Sequence, residues 1–378
     1  MLLEYGLKNF FSFKEGVSIS FRLDSNCPKS ISHGKKYSPA ICMKGANGSG
    51  KTHLLKGLAF VADFAAKSFS SAPEEGLAFD NFFNSQEPSE FFVEFEVNGV
   101  EYLYELSAMP SGVEREAIYK TQKRKTKIIE RLKNEIVFVA KSLANFKVMK
   151  LRSNASLIST AHQYDLSELR DVHLFFSGVI SNLTFGGTRE EGFDIKKISK
   201  FLSSNKEYLE FTENFIAGCD VGIKKIRIVE VDDEAAKGHY PVFLHEVNGE
   251  YKPVTPITES SGTRQLFKSL TVYKAALEAG GVLVLDEFDM YLHPHILPKL
   301  LEFFVDEEKN KNNAQIIFST HNSEIMDFMG RYRTYLVNKR ENESFAYRLD
   351  EIPGDVLRND RSIVSPYNEG KVGGVPRL

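Results

Sequence analysis

Cysteine is scarce in this sequence of 378 residues. The three cysteines, Cys27, Cys42 and Cys219, are odd in number and far apart, which excludes a disulfide framework and a cysteine-based zinc cluster. Runs of about 18 or more apolar residues are missing, and the amino terminus has neither the basic nor the apolar region of a signal peptide. These absences predict a soluble protein of a reducing compartment, most simply the cytoplasm.

An excess of charge of one sign is also missing. The sequence has 48 basic and 51 acidic residues, for a formal net charge of −3, so the whole chain has no electrostatic attraction to nucleic acid. The 30 phenylalanines and 15 tyrosines supply enough buriable surface to exclude intrinsic disorder. At about 100–200 residues per domain, the length predicts two or three domains, or one large domain with insertions.

The last third of the sequence alternates between helical and strand patterns. Strands are predicted at 281–285, 314–319 and 334–338, and helices at 264–279, 294–310 and 323–329. The strand segments at 281–285 and 314–319 include continuously apolar runs, as expected of strands that are buried on both faces of a parallel sheet. The fold class is therefore α/β, with helices flanking a mixed or parallel sheet.

The rest of the sequence predicts an antiparallel β subdomain and an insertion. Sheet-like alternation begins at residue 2, and Asn-Gly pairs at 98–99 and 248–249 predict tight hairpins. The segment 111–220 predicts a basic hairpin followed by helices, with helical spacing of apolar residues over 165–217. The predicted core thus has two lobes, 1–110 and 221–378, that enclose a mostly helical insertion at 111–220.

Residues 45–52, Gly-Ala-Asn-Gly-Ser-Gly-Lys-Thr, match the P-loop pattern G-x-x-x-x-G-K-[ST] without a mismatch. An apolar strand precedes the loop and an amphipathic helix follows it, as that motif requires. Its backbone amides would bind phosphates, Lys51 would neutralise the β- and γ-phosphates, and the Thr52 hydroxyl would bind Mg²⁺. The candidate nucleotide-binding residues are Asn47, Gly48, Ser49, Gly50, Lys51 and Thr52.

Three further motifs follow in the sequence. An apolar strand ends in Asp286 and Glu287, which predicts one carboxylate for Mg²⁺ and one for activating water. Residues 259–263, Glu-Ser-Ser-Gly-Thr, open a predicted helix, and another apolar strand ends beside His321. Taken alone, the helix start is an ordinary cap and the histidine an ordinary structural residue.

In their order along the chain, the P-loop, residues 259–263, the Asp286–Glu287 pair and His321 resemble the motifs of ABC-type ATPases. The resemblance implies that Ser260, Ser261 and Gly262 form the signature motif and that Asp286 and Glu287 form the Walker B pair. It further implies catalytic roles for Glu287, His321 and Lys51, a Mg²⁺ site at Thr52 and Asp286, and ATP as the nucleotide. In such proteins the signature serine completes the site of a facing subunit, which implies a homodimer or a higher homo-oligomer.

Local sequence is similar to the RecF/SMC/OLD branch of these ATPases. Segments 7–13 and 285–294 are similar to its opening strand and its Walker B element. The tail, from Arg361 to Pro376, is similar to that of the RloA, AbiL and PARIS AriA-type ATPase subunits of bacterial antiviral systems. This resemblance implies a regulator of a separate effector, such as a TOPRIM or RloB-like nuclease. The alternative is a RecF/SMC-like DNA-binding clamp of repair or recombination; a self-contained OLD nuclease is disfavoured because few residues follow His321.

Three features remain open from the sequence alone. Basic residues concentrate within Lys120–Lys133, which predicts contact with nucleic acid or an acidic partner, or else a solvated surface. They are Lys120, Lys123, Arg124, Lys125, Lys127, Arg131 and Lys133. Gln86 is a candidate for the Q-loop glutamine, and His293 stands where transporters have an aspartate.

Overall fold

A computed structural model describes residues 1–188, 194–220, 222–233, 237–353, 357–359 and 361–375. Within them the chain forms the following strands: β1 Leu2–Lys8, β2 Val17–Ser20, β3 Ala40–Lys44, β4 Ser89–Val97, β5 Val100–Met109, β6 Gly112–Thr121, β7 Lys125–Leu132, β8 Glu135–Val139, β9 Val179–Ser181, β10 Leu183–Thr184, β11 Gly187–Thr188, β12 Ile223–Val231, β13 Gly238–Val247, β14 Glu250–Val254, β15 Val282–Leu285, β16 Gln315–Ser319, β17 Thr334–Arg340 and β18 Glu343–Arg348. These strands build two large sheets and two small ones.

Helices lie mainly on the two faces of one sheet. They are α1 Lys29–Ser32, α2 Lys51–Lys67, α3 Leu157–Gln163, α4 Arg170–Ser177, α5 Ile195–Ser204, α6 Lys206–Cys219, α7 Ser261–Ala279, α8 Ile296–Val305, α9 Ile325–Met329 and α10 Val364–Asn368. The alternation predicted for the last third, from α7 to β17, is present element for element.

The central sheet has six strands in the order β18-β17-β3-β16-β15-β9. All neighbours pair in parallel except β17 and β18, which form an antiparallel hairpin. Strand β3 shows why its sequence is continuously apolar: Ile41 and Met43 pack into one hydrophobic core, while Ala40 and Cys42 pack into the other. The first core contains α2 and the second contains α7 and α8.

The second large sheet is antiparallel, with seven strands in the order β2-β1-β4-β5-β6-β7-β8. The turn between β4 and β5 is the predicted Asn-Gly hairpin, since Asn98 and Gly99 both have positive φ, 51° and 73°. The sheet continues past the lobe boundary expected at residue 110, because β5 and β6 pair from Met109–Gly112 onward. The basic hairpin is therefore part of this sheet, and the helical segment begins after β8.

Three short strands, β9, β10 and β11, lie where the sequence predicts helix. The spacing of apolar residues over 165–217 is helical through Val179 and Ile180, but α4 ends at Ser177 and β9 follows. Val179 and Ile180 pair in parallel with Val282 and Leu283 of β15. The insertion thus contributes the edge strand of the central sheet, next to the strand that ends in Asp286.

The carboxyl-terminal tail folds back on the central sheet. Tyr367 of α10 donates a hydrogen bond to the carbonyl of Gly374, 3.0 Å away, and the amide of Gly374 donates to Asn338 at 2.7 Å. Gly373 and Gly374 both have positive φ, 79° and 77°, which a glycine pair adopts without strain. Pro376, the last residue of the tail motif, lies outside the described residues. Among the described helices, none has the length and apolar content needed to cross a membrane.

Candidate functional site

The P-loop connects the carboxyl end of β3 to the start of α2. Gly48 and Gly50 have φ of 72° and 111°, the left-handed region that favours glycine. Gly50 also faces the β17–β18 hairpin, where a side chain at this position would lie 2.6 Å from the Ser344 hydroxyl oxygen. The loop therefore needs its glycines both for backbone conformation and for close packing. Asn47 and Gly48 are exposed at its tip.

Lys51 is turned back onto the loop. Its ammonium group donates to the carbonyls of Gly45 and Ala46, at 2.9 and 3.0 Å, and the residue is only 7% exposed. Burial lowers the pKa of Lys51, and the nearby carboxylates of Asp286 and Glu287 partly offset this effect. The buried cation lies among carbonyl dipoles at the place where the motif binds phosphate.

Ser49 supplies a second sign that the loop is built for a ligand. Its hydroxyl oxygen is buried and, within the described part of the chain, has no hydrogen-bond partner. A buried polar atom without a partner is costly in a folded protein. A phosphate oxygen in the loop would remove that cost.

Asp286 is the centre of the hydrogen-bond network opposite the P-loop. Its carboxylate accepts a hydrogen bond from the Thr52 hydroxyl at 2.8 Å, and another from the Ser319 hydroxyl at the end of β16. Its backbone is fixed by the Asn182 side chain, which binds both its amide and its carbonyl at 2.9 Å. The structure thus brings the two predicted metal ligands into direct contact.

Glu287 follows in a different conformation. Its φ is 49°, and its amide donates to the Ser319 hydroxyl at 2.9 Å. This turn leaves Glu287 exposed while Asp286 stays 5% exposed. Both residues line a cleft of about 210 Å³ that Asn182 and residues of α7 also border. The strand end therefore separates a buried carboxylate from a solvent-facing one.

The segment around His321 is held by two charged residues. Asp289 accepts hydrogen bonds from the amides of His321 and Asn322, the shortest to each being 3.1 and 3.0 Å. Lys44, the last residue of β3, donates to the His321 carbonyl and lies 5.5 Å from the centre of the Tyr367 ring. Burial lowers the pKa of Lys44. These bonds fix the backbone of His321 and leave its imidazole exposed.

The signature segment caps α7. The Ser260 hydroxyl accepts from the Thr263 amide at 3.1 Å, and the guanidinium of Arg264 donates to the carbonyls of Pro256 and Glu259, both at 2.9 Å. Ser260 and Ser261 are exposed. Among the residues that the structure describes, no hydrogen bond joins them to the P-loop of the same chain.

The Walker B side of the molecule supports this cap. A side chain at Gly262 would lie 2.9 Å from the carbonyl of Tyr291, so the glycine permits close packing of the two segments. Glu259, which is buried, binds His245 of β13 at 2.8 Å and accepts from the Ser260 amide at 2.7 Å. The three-stranded sheet is thereby connected to the signature segment.

Residues beside Thr52 form a further buried group. The His53 imidazole stacks on the Phe11 ring with centroids 4.8 Å apart, and its Nδ1 lies 2.8 Å from the Ser12 hydroxyl. Burial is the main reason that the pKa of His53 falls to about 4, and the positive charges of Lys56 and Lys339 add to it. The ring is therefore neutral at physiological pH, and it joins α2 to the segment after β1.

The basic segment divides into exposed and buried residues. Arg131 cannot contact a partner, contrary to the sequence prediction, because it is fully buried and forms an ion pair with Glu116 at 2.7 Å. Lys127 is paired with Glu130 at 2.5 Å. The others of the group lie in or beside the β6–β7 hairpin, and the exposed cations at its tip are Lys123, Arg124 and Lys125.

Several residues of the site carry no sequence signal. Asn182 and Lys44 belong to no motif, and Ser319 precedes His321 without marking a role of its own. Asp289 is the exception, because it lies in segment 285–294, which is similar to the Walker B element. Gln86 is exposed and its side chain donates to the Asn84 carbonyl at 3.2 Å, so its role as Q-loop residue stays a prediction.

The donor set fits Mg²⁺ bound together with nucleotide phosphates. One hydroxyl, from Thr52, and one carboxylate, from Asp286, are hard oxygen ligands at the mouth of the P-loop. Magnesium is usually bound by one or two such groups, with phosphates and water completing its coordination. No described cluster of three or more His, Cys, Asp or Glu residues could hold a metal by protein ligands alone.

Comparison with known proteins gives one family match. The family model described as "AAA domain, putative AbiEii toxin, Type IV TA system" matches residues 41–327, which include the P-loop, the signature segment, the Walker B strand and His321. No curated protein sequence matches the chain.

Solved structures give a match over nearly the whole chain. The SMC head bound to the C-terminal winged-helix domain of ScpA is 16% identical, with a TM-score of 0.51, and the match covers 93% of this chain and 99% of that one. The SMC head domain from Thermotoga maritima is 14% identical with a TM-score of 0.44, covering 92% and 98% of the two chains. The SMC head from Pyrococcus furiosus, bound to the C-terminal domain of ScpA, is 14% identical with a TM-score of 0.47, covering 93% and 97%. The first of these similarities confirms the predicted fold, a P-loop ATPase head.

Proposed function

The chain belongs to the family described as AAA domain, putative AbiEii toxin, Type IV TA system, and on that premise we propose that it is an ATP-hydrolysing regulator of bacterial antiviral defence. The observation that carries the hydrolytic part is the contact between Thr52 and Asp286, with Glu287 exposed beside it. Lys51 and the P-loop amides would bind the triphosphate, and Thr52 and Asp286 would hold Mg²⁺, which would neutralise charge on the phosphates.

Each side chain then has a defined task in hydrolysis. Glu287 faces the cleft and accepts a proton from the attacking water, while Asp286 stays buried and keeps its ligand position. His321 has its backbone fixed by Asp289 and presents its imidazole to the γ-phosphate. Because phosphoryl transfer depends mainly on positioning and charge neutralisation, these fixed groups supply most of the catalysis.

The active unit in this proposal is a homodimer. Ser260 and Ser261 are exposed at the amino terminus of α7, and they make no described hydrogen bond to the P-loop of their own chain. A helix amino terminus binds anions through its free amides and its dipole. In a face-to-face dimer, the start of α7 in one subunit and the start of α2 in the other can bind one triphosphate from opposite sides.

The defence role rests on the family description and on the sequence of the tail. The family is named for a toxin of a toxin–antitoxin system, and the tail is similar to the ATPase subunits of antiviral systems. We propose a separate effector, such as a TOPRIM or RloB-like nuclease, that this ATPase holds inactive or releases. The exposed Lys123–Lys125 tip is a candidate contact for that partner or for nucleic acid.

Hydrolysis is tested with Lys51→Ala and a matched control. We expect Lys51→Ala to lower the rate of phosphate release by about 100-fold or more, since it removes the charge that binds the phosphates. Lys67→Ala changes an exposed lysine at the other end of the same helix and should leave the rate unchanged. Equal rates for Lys51→Ala and the unmodified protein would exclude the P-loop as the catalytic site.

The defence role needs an experiment in cells. The natural locus is carried into a phage-sensitive bacterium, and we expect Glu287→Gln to abolish protection against phage while the protein level stays constant. The purified protein is also titrated with duplex DNA at two salt concentrations. Unchanged protection together with tight, salt-dependent DNA binding would favour the DNA-binding clamp over the defence regulator.

A further inference from the structure

A second cleft lies on the side of the central sheet opposite the P-loop. It is bordered by the turn after α1, by the segment that leads into β17, and by the tail before α10, and its volume is about 510 Å³. The P-loop follows the carboxyl end of β3, whereas Arg333 directly precedes the amino end of the parallel strand β17. The two sites therefore lie at opposite ends of the parallel strands, and the cleft is outside the proposed catalytic site.

Arginine dominates the lining of this cleft. Four arginines border it, Arg331, Arg333, Arg358 and Arg361, together with His33. The acidic residue of the described lining is Asp327, and both of its carboxylate oxygens are already bound, one by the Ser362 hydroxyl at 2.7 Å and one by the Ile363 amide at 2.6 Å. The Asp327 carboxylate is thus already engaged in holding the tail.

Arg333 is the strongest observation in the cleft. The residue is 8% exposed, and its guanidinium donates to the carbonyl of Ile31. Its Nε is buried with no partner among the described residues, and burial lowers its pKa. A buried guanidinium that has only a carbonyl to bind is costly, because a neutral dipole does not compensate a desolvated charge.

Arg331 repeats this arrangement next to it. Its guanidinium donates to the carbonyls of Leu357 at 2.6 Å and Asp350 at 3.3 Å, and its Nε is buried without a described partner. Arg361, in the tail motif, is exposed and borders the same cleft. Phe328 of α9 is half-buried in the same lining and offers an aromatic face.

We propose that this cleft binds a nucleotide phosphate, either of a free nucleotide or at the 5′ end of a nucleic-acid strand. Guanidinium groups match the geometry of phosphate oxygens and bind them in pairs of hydrogen bonds. The volume is in the range of small-molecule sites. We expect the Phe328 ring, which is part of the lining, to stack on the base, as aromatic residues do in sites that are not sequence-specific.

A short segment of the chain also connects the cleft to His321. The short segment 322–330, which includes α9, joins His321 at one edge of the sheet to Arg331 at the other. Asp327 of that helix holds the tail at residues 362 and 363. A ligand bound between the arginines would thus contact the segment at its Arg331 end, where Asp327 holds the tail.

The test uses protein that carries Lys51→Ala, so that the P-loop contributes little to binding, in the absence of Mg²⁺. AMP, adenosine and a 5′-phosphorylated hexadeoxyadenylate are titrated by calorimetry. We expect AMP to bind and adenosine, which lacks the phosphate, not to bind. Tighter binding of the hexanucleotide than of AMP would assign the site to strand ends, and equal or weaker binding would assign it to free nucleotides.

Substitutions locate the binding. Arg361→Ala should weaken the affinity for AMP about 10-fold, the usual effect of losing one charge-assisted hydrogen bond. Arg227→Ala, an exposed arginine of β12, is the matched control and should leave it unchanged. Arg333→Lys, checked for folding by its unfolding curve, should also weaken binding because lysine lacks the planar fork. Absence of AMP and hexanucleotide binding, or equal affinities for Arg361→Ala and Arg227→Ala, would overturn the proposal without touching the ATPase assignment.

Discussion

At the scale of single residues, the site depends on side chains that bind the catalytic groups. Ser319 is the clearest case, since its hydroxyl donates to the Asp286 carboxylate and accepts from the Glu287 amide. One hydroxyl therefore fixes both residues of the Walker B pair. Asn182 fixes the Asp286 backbone through two further hydrogen bonds. Asn182 belongs to the insertion, which lies far from Asp286 in the sequence.

Ser319→Ala should lower kcat by about 10-fold, because it removes a hydrogen bond to a charged group. Nucleotide affinity should change little, since Lys51 and the P-loop are untouched. The measurement is the ATPase rate as a function of ATP concentration, with Ser203→Ala on the exposed face of α5 as control. A selective loss of affinity with normal kcat would show that Ser319 serves binding instead of positioning.

Motif residues could be predicted from the sequence, and their supporting partners could not. Lys51, Thr52 and Asp286 stand at fixed spacings in motifs whose chemistry is known. Lys44 and Asn182 act through bonds to residues far away in the sequence, and such pairing leaves no local pattern. Arg131 is a second example. Its place in a basic run predicts an exposed side chain, and only the three-dimensional pairing with Glu116 shows that it is buried.

At the scale of elements, prediction succeeded where apolar runs decide the structure. β15 and β16 are continuously apolar because each contributes to both cores, and α8 between them packs its apolar face into the second core. β9 was missed because three residues are too few to show alternation, and Val179 and Ile180 also fit helical spacing. Only pairing with β15 makes this segment a strand.

A buried ion pair connects three strands to α3. Glu116 of β6 and Arg131 of β7 are both fully buried at 2.7 Å. The Glu116 carboxylate also accepts from the Tyr104 hydroxyl at 2.8 Å and from the Leu157 amide at 2.9 Å, although burial raises its pKa. Arg131 additionally donates to the carbonyl of Ala155 at 2.7 Å. The antiparallel sheet and the start of the helical segment are thus joined through one polar group.

Arg131→Met should destabilise the protein by about 3–5 kcal/mol, since it leaves the Glu116 charge buried without its partner. Adding Glu116→Gln, which keeps an acceptor but removes the charge, should restore part of that loss. Free energies of unfolding in urea provide the measurement, and Lys133→Met, in the exposed turn between β7 and β8, is the control. A double variant less stable than Arg131→Met would contradict the argument.

At the scale of the whole molecule, the proposed dimer requires the signature segment of one subunit to meet the P-loop of the other. Ser260 is exposed, and its cap bond to Thr263 keeps the start of α7 ordered without a partner. Glu259 and Arg264 hold the same segment from behind, so that it is preformed in one chain. A preformed, exposed anion site fits a surface that closes on the nucleotide of a second copy.

The dimer should accumulate when hydrolysis is blocked after ATP binding. Glu287→Gln removes the base but keeps Thr52, Asp286 and the P-loop, so ATP should convert this variant to a dimer in mass photometry. Adding Ser260→Arg should return it to monomer, because the arginine side chain fills the closing surface. Adding Ser260→Ala is the matched control: it loses the same cap, worth about 1 kcal/mol, without the bulk, and should remain dimeric in ATP.

The composite site also predicts that Ser260→Arg and Lys51→Ala subunits, each inactive alone, regain up to one working site per mixed dimer. A Glu287→Gln protein that stays monomeric in saturating ATP, or a mixture as inactive as its components, would reject the shared site and place hydrolysis within one chain.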